Sequence, residues 1–336
     1  MATFYQKTKL LKGLLTGEIA YTGPFHVTVD ITRRCNLHCV GCRFHSFEVH
    51  RPSPGDQSVP DISFDMLKDL CDELRKMNPR TLFLMGEGEP FLHDRIFEII
   101  AMAKRARFHV MIITNGTLLN QEKIKSLLNS RLDVLQVSLW ASSPQEYEQQ
   151  YAGSDPNNFE KVVDGLKLLK FLKAERKSKH PVVTLHNPIN RHNVKKIDAM
   201  VDRALVTGCD AISFSPFLST KGRLSSYSLS QDEEGSLYLS LAKMKKRLRS
   251  LPLNHNIART LLRYRMGRKK GGKWKLPCYM GWAHVRIRVD GTVVPCGPCN
   301  IPMGDLKENS FHEIWNSLSY RIFRRQTLTR KGLTSL

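Results

Sequence analysis

Cys35, Cys39 and Cys42 fall within the eight-residue stretch Cys-Asn-Leu-His-Cys-Val-Gly-Cys. Three thiolates spaced this tightly can hold three corners of a cubane iron-sulfur cluster and leave the fourth iron open. An open iron chelates a small molecule and passes it an electron, whereas a structural zinc site closes its shell with four protein ligands. The same spacing also suits half of a zinc site completed from elsewhere, and the pattern alone leaves both readings standing. A second set, Cys278, Cys296 and Cys299, flanks and follows a hairpin signal: two apolar runs, 285–289 and 292–294, around Asp290-Gly291. Cysteines so placed can clasp a metal, with a small zinc ribbon as the alternative. Cys71, inside an amphipathic pattern, and Cys209, at the start of a strand, read as buried thiols.

The elements that must carry these cysteines alternate in type. Strands are expected at 25–31, 81–85, 109–114, 134–139, 182–186 and 211–217. Helices are expected from Ser63 to Asn78 and at 94–105, 121–129, 159–173 and 194–206. Six strands alternating with helices imply an α/β fold with a parallel sheet and right-handed crossovers, either doubly wound or curled into a partial barrel. Loops at the carboxyl ends of such strands share one rim. The cysteine loop, the turn Gly86-Glu87-Gly88-Glu89-Pro90, Asn115-Gly116 and Ser138 are all expected there. Taken singly, Glu89-Pro90 and Asn115-Gly116 are also ordinary turn signals.

The chain has 336 residues, with 52 Lys and Arg against 31 Asp and Glu, a formal charge of +21. That excess creates a field that attracts anions without naming one. Its densest run, Arg263, Arg265, Arg268, Lys269, Lys270, Lys273 and Lys275, is loop-like through Gly267, Gly271 and Gly272; a phosphorylated ligand, nucleic acid, an anionic membrane surface or plain solvation would each suit it. No aromatic platform or nucleic-acid module accompanies the charge, which argues against nucleic acid as a partner. Eight cysteines, six of them in two ligand-like sets, fit a reducing compartment rather than a disulfide scaffold. The leucines of residues 1–17 are too interrupted for a signal peptide, and no segment has membrane-spanning length. A cytoplasmic protein is expected, with Leu10, Leu11, Leu14 and Leu15 forming a helix packed across the core.

Taken in order, the cysteine triplet after strand one, Gly-Glu-Gly-Glu-Pro after strand two, Asn115-Gly116 after strand three and Ser138 ending strand four resemble the radical S-adenosylmethionine (SAM) superfamily over residues 25–217. The resemblance implies a partial (β/α)6 barrel. It also implies a [4Fe-4S] cluster on Cys35, Cys39 and Cys42 whose open iron binds SAM, and a flavodoxin- or ferredoxin-type electron donor. Gly86, Glu87, Gly88, Glu89 and Pro90 would meet the methionyl amine, and Asn115 and Ser138 would take further SAM contacts. Two departures stand out: Gly41 occupies a position that is often aromatic, where Phe44 is the expected substitute, and Glu87 replaces a common glycine. Residues 276–320 resemble the SPASM and Twitch extensions of that superfamily, with Gly291, Cys296, Gly304-Asp305-Leu306 and Phe311-His312-Glu313-Ile314-Trp315 matching. This implies a small C-terminal α+β domain and an auxiliary iron-sulfur cluster of [4Fe-4S] type on Cys278, Cys296 and Cys299. The usual cysteine pair downstream does not occur before Leu336, leaving an open auxiliary iron or missing ligands as alternatives.

The expected organisation is an N-terminal helical extension at 1–22, the core at 23–220, a basic helical linker at 221–275 and the auxiliary-cluster domain at 276–336. The expected activity is reductive cleavage of SAM to a 5′-deoxyadenosyl radical that abstracts hydrogen from a small polar or anionic metabolite. The auxiliary cluster would accept an electron or bind substrate. A peptide maturase is the near alternative; a zinc-containing nucleic-acid-binding protein is the alternative from another class. Glu48, His45, Tyr279 and His284 are acid-base candidates that sequence does not rank.

Overall fold

The structure, a computed structural model, describes residues 4–47, 61–217, 225–268 and 278–328. Glu48 and the basic residues Lys269, Lys270, Lys273 and Lys275 lie outside them. The first elements are α1 (Phe4–Thr16), β1 (His26–Asp30), α2 (Phe64–Met77), β2 (Thr81–Met85), α3 (Ile96–Arg105) and β3 (His109–Thr114). Then come α4 (Gln121–Asn129), β4 (Val134–Ser138), α5 (Pro144–Gln150), α6 (Asn158–Glu175), β5 (Val182–Ile189), α7 (Ile197–Val206) and β6 (Ala211–Pro216). The chain continues through α8 (Gln231–Arg247), β7 (Asn254–His255), α9 (Ile257–Arg268) and α10 (Met280–Ala283). It closes with β8 (His284–Ile287), β9 (Thr292–Val294), β10 (Gly304–Asp305), α11 (Phe311–Asn316) and α12 (Leu318–Thr327).

The described residues form two compact units. One gathers 4–34, 61–112 and 278–328; the other gathers 35–47, 113–217 and 225–268.

In the first unit the strand order is β10-β9-β8-β1-β2-β3. β1 pairs in parallel on both sides, with β2 (Val27↔Leu82) and with β8 (Val27↔Val285). Val27, Val29 and Asp30 are accordingly fully buried, as expected of a strand covered on both faces. Asp30 survives that burial because Arg286 of β8 donates to it through Nε at 2.6 Å and Nη2 at 2.9 Å. Burial still pushes the Asp30 carboxyl above its ordinary range, against the pull of Arg286. α2 starts on Ser63, whose hydroxyl accepts from Met66 N at 3.3 Å, and ends on Asn78 in the left-handed conformation (φ 55°). It buries Leu67, Leu70, Cys71 and Leu74, and desolvation raises the Cys71 thiol to about 12, leaving it inert.

α1 departs from expectation. It buries Gln6 and Gly13, while Phe4, Leu11 and Leu15 stand exposed at 83, 57 and 80 %. The cause is close approach: Gly13 lies against Trp282 and the Ile19 carbonyl, and Gln6 Nε2 donates to Asn78 O at 3.1 Å. Helix backbone at Gly13 faces the core, with Leu10 and Leu14 half-buried beside it and Leu11 and Leu15 turned outward.

In the second unit β4, β5, β6 and β7 pair in parallel in that order. On β4 to β6, alternate residues (Leu135, Val137, Val183, Leu185, Ile212, Phe214) are fully buried. The opposite face is only half-buried and carries the polar residues Gln136, Ser138, Thr184, His186, Ser213 and Ser215.

Candidate functional site

The cysteine loop belongs to the second unit, where α5 and its cap hold it. Cys39 makes an isolated antiparallel bridge with Tyr151, and Val40 N donates to Gln150 O at 2.9 Å. A turn closes with Cys42 N on Cys39 O at 2.9 Å. All three thiols are half-buried, and none of the eight cysteines is in a disulfide. Burial raises the Cys42 thiol above its ordinary range, although Phe44 N and His45 N donate to its sulfur at 3.4 and 3.2 Å. A bound cationic metal reverses that balance, and the two N–H groups then stabilise the thiolate.

Gly41 is needed where it stands. A Cβ there would lie 2.2 Å from Phe217 Cε2 and 2.9 Å from Trp140 Cζ3. The aromatic surface at Gly41 therefore comes from the ends of β6 and β4, two long-range contributions that the loop sequence could not disclose. Tyr151 OH donates to the Ser138 carbonyl at 3.1 Å and accepts from Trp140 N at 3.0 Å. Its ring stacks on Tyr147 with 4.1 Å between centroids. Burial, then charge on Cys39 and Cys35, push the Tyr147 phenol upward, and its buried hydroxyl finds no hydrogen-bond partner among the described residues.

Asn115 is fastened to this loop, its Nδ2 donating to Asn36 Oδ1 at 2.9 Å, while Asn36 Nδ2 donates to Thr117 at 2.8 Å. Ser138 heads a row across three strands, in register with His186 and then Ser213. His186 Nδ1 meets Ser213 at 2.8 Å and Nε2 meets Ser215 at 3.3 Å. Desolvation lowers His186 to about 4, so the imidazole is neutral at neutral pH. This polar row escaped the sequence reading, although alternation along 182–189 was its available signal.

The Gly-Glu-Gly-Glu-Pro turn belongs to the first unit and is sewn to the residues that lead into Cys35. Gly88 N donates to Thr32 O at 3.0 Å and Glu89 N to Arg34 O at 2.7 Å. A Cβ on Gly88 would sit 2.0 Å from the Arg34 carbonyl oxygen, so only glycine permits this approach. Glu87 accepts from Arg33 Nε at 2.6 Å, and Arg33 reaches Asp290 at 3.3 Å. That pairing gives a reason for glutamate in place of the common glycine. Glu89 is 2 % exposed, and its Oε1 accepts from Phe91 N at 3.1 Å, capping the short turn that opens at Pro90. Arg34 is held by Asp61 (Nε to Oδ1, 3.2 Å), which also accepts from Thr32 at 2.6 Å.

The C-terminal cysteines also belong to the first unit. The β8–β9 hairpin forms as expected, with Arg286 opposite Val294. Cys296 and Cys299 are hydrogen-bonded through their side chains, which draws the Cys299 thiol down to about 6 and forces Cys296 up. Charge on Cys278 adds to the rise at Cys296, so all three interact. Among the described residues no three His, Cys, Asp or Glu converge tightly enough for a single metal ion. Three soft thiolates are the type of donor that an iron-sulfur cluster takes, and each set offers three. His284 is occupied structurally, with Nε2 on Thr28 at 3.0 Å and Nδ1 on Pro295 O at 3.1 Å. Tyr279 is exposed at 44 %.

Comparison with known proteins adds to this geometry. The family described as the Radical SAM superfamily matches residues 29–208, and the iron-sulfur cluster-binding domain named SPASM matches 278–334. An AdoMet-dependent heme synthase of Methanosarcina barkeri is 25 % identical over 319 residues, spanning 90 % of this chain and 84 % of its own. Streptococcus suis SuiB bound to S-adenosylmethionine superposes with a TM-score of 0.71 at 13 % identity, over 95 % of this chain and 71 % of that one. Native anSMEcpe with bound AdoMet gives 0.68 at 16 % identity, over 91 % and 84 %.

Proposed function

The chain belongs to the radical SAM superfamily and carries a SPASM domain, and on that premise we propose that it is an oxidoreductase acting on a small polar or anionic metabolite. Its fold is the partial (β/α)6 barrel of that superfamily with a small C-terminal domain, and it is a SAM-cleaving iron-sulfur enzyme. When bound, the reduced cluster supplies the electron that cleaves SAM, and the resulting 5′-deoxyadenosyl radical removes a hydrogen atom from substrate. In this reading residues 23–220 form the core and 276–336 the auxiliary-cluster domain, joined by a basic linker at 221–275 and preceded by a helical extension at 1–22.

Cys35, Cys39 and Cys42 hold the SAM cluster. The backbone at Gly86, Gly88 and Pro90, with Glu87 fixed by Arg33, presents Glu89 toward the methionyl ammonium. Asn115 keeps the cysteine loop in place through Asn36, and Ser138 contacts the SAM ribose or carboxylate. Phe217 and Trp140 shield the Gly41 side of the loop from water. Cys278, Cys296 and Cys299 hold the auxiliary cluster.

The observation that carries this reading is the pair of three-cysteine sets, one on the loop after β1 and one around the β8–β9 hairpin. The formal charge of +21 supports an anionic substrate. The relative named an AdoMet-dependent heme synthase supports a metabolite over a peptide. The test is anaerobic reconstitution with iron, sulfide and zinc analysis, followed by electron paramagnetic resonance with and without SAM. About eight irons per chain and one SAM-shifted signal are expected; zinc without iron overturns the reading. 5′-Deoxyadenosine formation stimulated by peptides but by no anionic metabolite would replace the substrate class.

A further inference from the structure

α12 places Tyr320, Arg324 and Thr327 on one face at helical spacing, with exposures of 0, 0 and 1 %. Thr327 ties this helix to the C-terminal cysteines, because Cys278 N donates to its carbonyl at 3.0 Å. One turn back, Arg324 spends its donors on backbone carbonyls: Nε on Gly281 at 2.8 Å, Nη2 on Trp315 at 2.8 Å and Nη1 on Glu18 at 3.5 Å. Its guanidinium lies over the rings of Trp315 and Tyr320, 4.6 and 4.9 Å from their centroids. Burial draws Arg324 down to about 10, so it stays charged at neutral pH.

Among the described residues no carboxylate pairs with Arg324, and the nearby Glu18 carboxylate is taken by Arg321 at 2.7 Å and Arg325 at 3.8 Å. A buried cation without a counter-ion is costly to keep. Tyr320 presents the companion anomaly. Its hydroxyl is buried and has no hydrogen-bond partner among the described residues, a rare condition in folded proteins. Trp315 and Phe323 enclose its ring at centroid distances of 5.0 and 6.5 Å. Charge on Cys296 and Cys299 acts on this phenol.

An unused donor and a cation without a carboxylate partner, on the helix whose Thr327 carbonyl accepts from Cys278 N, fit an anion that accepts hydrogen bonds through sulfur. A thiolate-ligated iron-sulfur cluster is such an anion, and hydrogen bonds to its sulfurs set its potential. We propose that Tyr320 donates a hydrogen bond to a sulfur of the cluster held by Cys278, Cys296 and Cys299, that Arg324 supplies its buried counter-charge, and that together they raise its reduction potential. The proposal rests on the reading that these cysteines hold an iron-sulfur cluster. Both groups favour the more negative, reduced cluster, so removing either makes reduction harder.

The full-length chain carrying Cys35→Ala, Cys39→Ala and Cys42→Ala isolates this cluster and serves as the parent after anaerobic reconstitution. About four irons per chain are expected in the parent and in its Tyr320→Phe variant. Tyr320→Phe is expected to disfavour reduction about tenfold, a midpoint shift of about −59 mV for one electron. Arg324→Met is expected to shift it the same way, and Arg324→Lys to shift it less. Pulsed resonance of the parent in deuterated buffer is expected to show an exchangeable deuteron coupled to the cluster, lost in Tyr320→Phe. That signal needs no substitution in α12, so its absence from the parent overturns the proposal even where a variant fails to fold. An iron-replete Tyr320→Phe protein with unchanged potential and deuteron signal also overturns it, while leaving the cluster reading intact. A parent that binds no iron overturns both.

Discussion

Gly88 shows how much one missing methyl group controls. With the Arg34 carbonyl 2.0 Å from where a Cβ would stand, Gly88→Ala must displace the turn or the residues leading into Cys35. Overpacking of this kind costs about 1–3 kcal/mol, and the larger expected effect is loss of SAM binding measured calorimetrically on reconstituted protein. Retained affinity would show that the turn has no part in holding SAM. Tyr151 carries a different burden, joining the Trp140 amide to the Ser138 carbonyl through one hydroxyl. Tyr151→Phe leaves both groups unpaired and is expected to lower stability by about 1–3 kcal/mol in denaturant titration. The cysteines and the glycine-rich turn stand out as candidates in sequence because their spacing is local. Tyr147, Tyr151, Trp140, Phe217 and His186 do not, because they come from α5 and its cap, the ends of β4 and β6, and β5, all outside the cysteine loop.

At the scale of elements, local pattern located most of the architecture. The strands at 81–85 and 109–114 and the helix at 121–129 fall where alternation, β-branching and capping residues put them. The run at 182–186 extends to Ile189, because Asn187 and Pro188 continue the pairing with β6 despite poor strand propensity. The partnership of β8 with β1 was not legible, since a hairpin's sequence specifies its own turn and not a parallel neighbour far away in the chain. Asp30 and Arg286 cement that pairing at full burial. Arg286→Met strands the Asp30 charge and is expected to cost about 3–5 kcal/mol. The Asp30→Asn, Arg286→Met double variant should recover much of that loss in thermal unfolding; equal losses would assign the cost to packing alone.

For the whole molecule, the charge of +21 acts at long range. An acidic electron donor of the flavodoxin type is expected to be steered by this field. Stopped-flow reduction by such a donor should slow steeply as ionic strength rises toward physiological, where the Debye length is about 8 Å. A rate indifferent to salt would remove charge from the account of partner choice.

β1 has a partner that is made late. Asp30 and Arg286 stand 256 residues apart in the chain, so a ribosome delivers the buried carboxylate long before the guanidinium that neutralises it. Until β8 emerges, β1 offers an unpaired apolar edge, the form of surface that chaperones bind and that aggregates when left alone. The first unit, with its C-terminal cysteines, is therefore completed only after β8 has been made. Chains truncated ahead of β8 are expected to remain protease-sensitive within residues 26–112 even with iron and sulfide supplied, and resistant fragments there would show that β1 and β2 hold without their late partner.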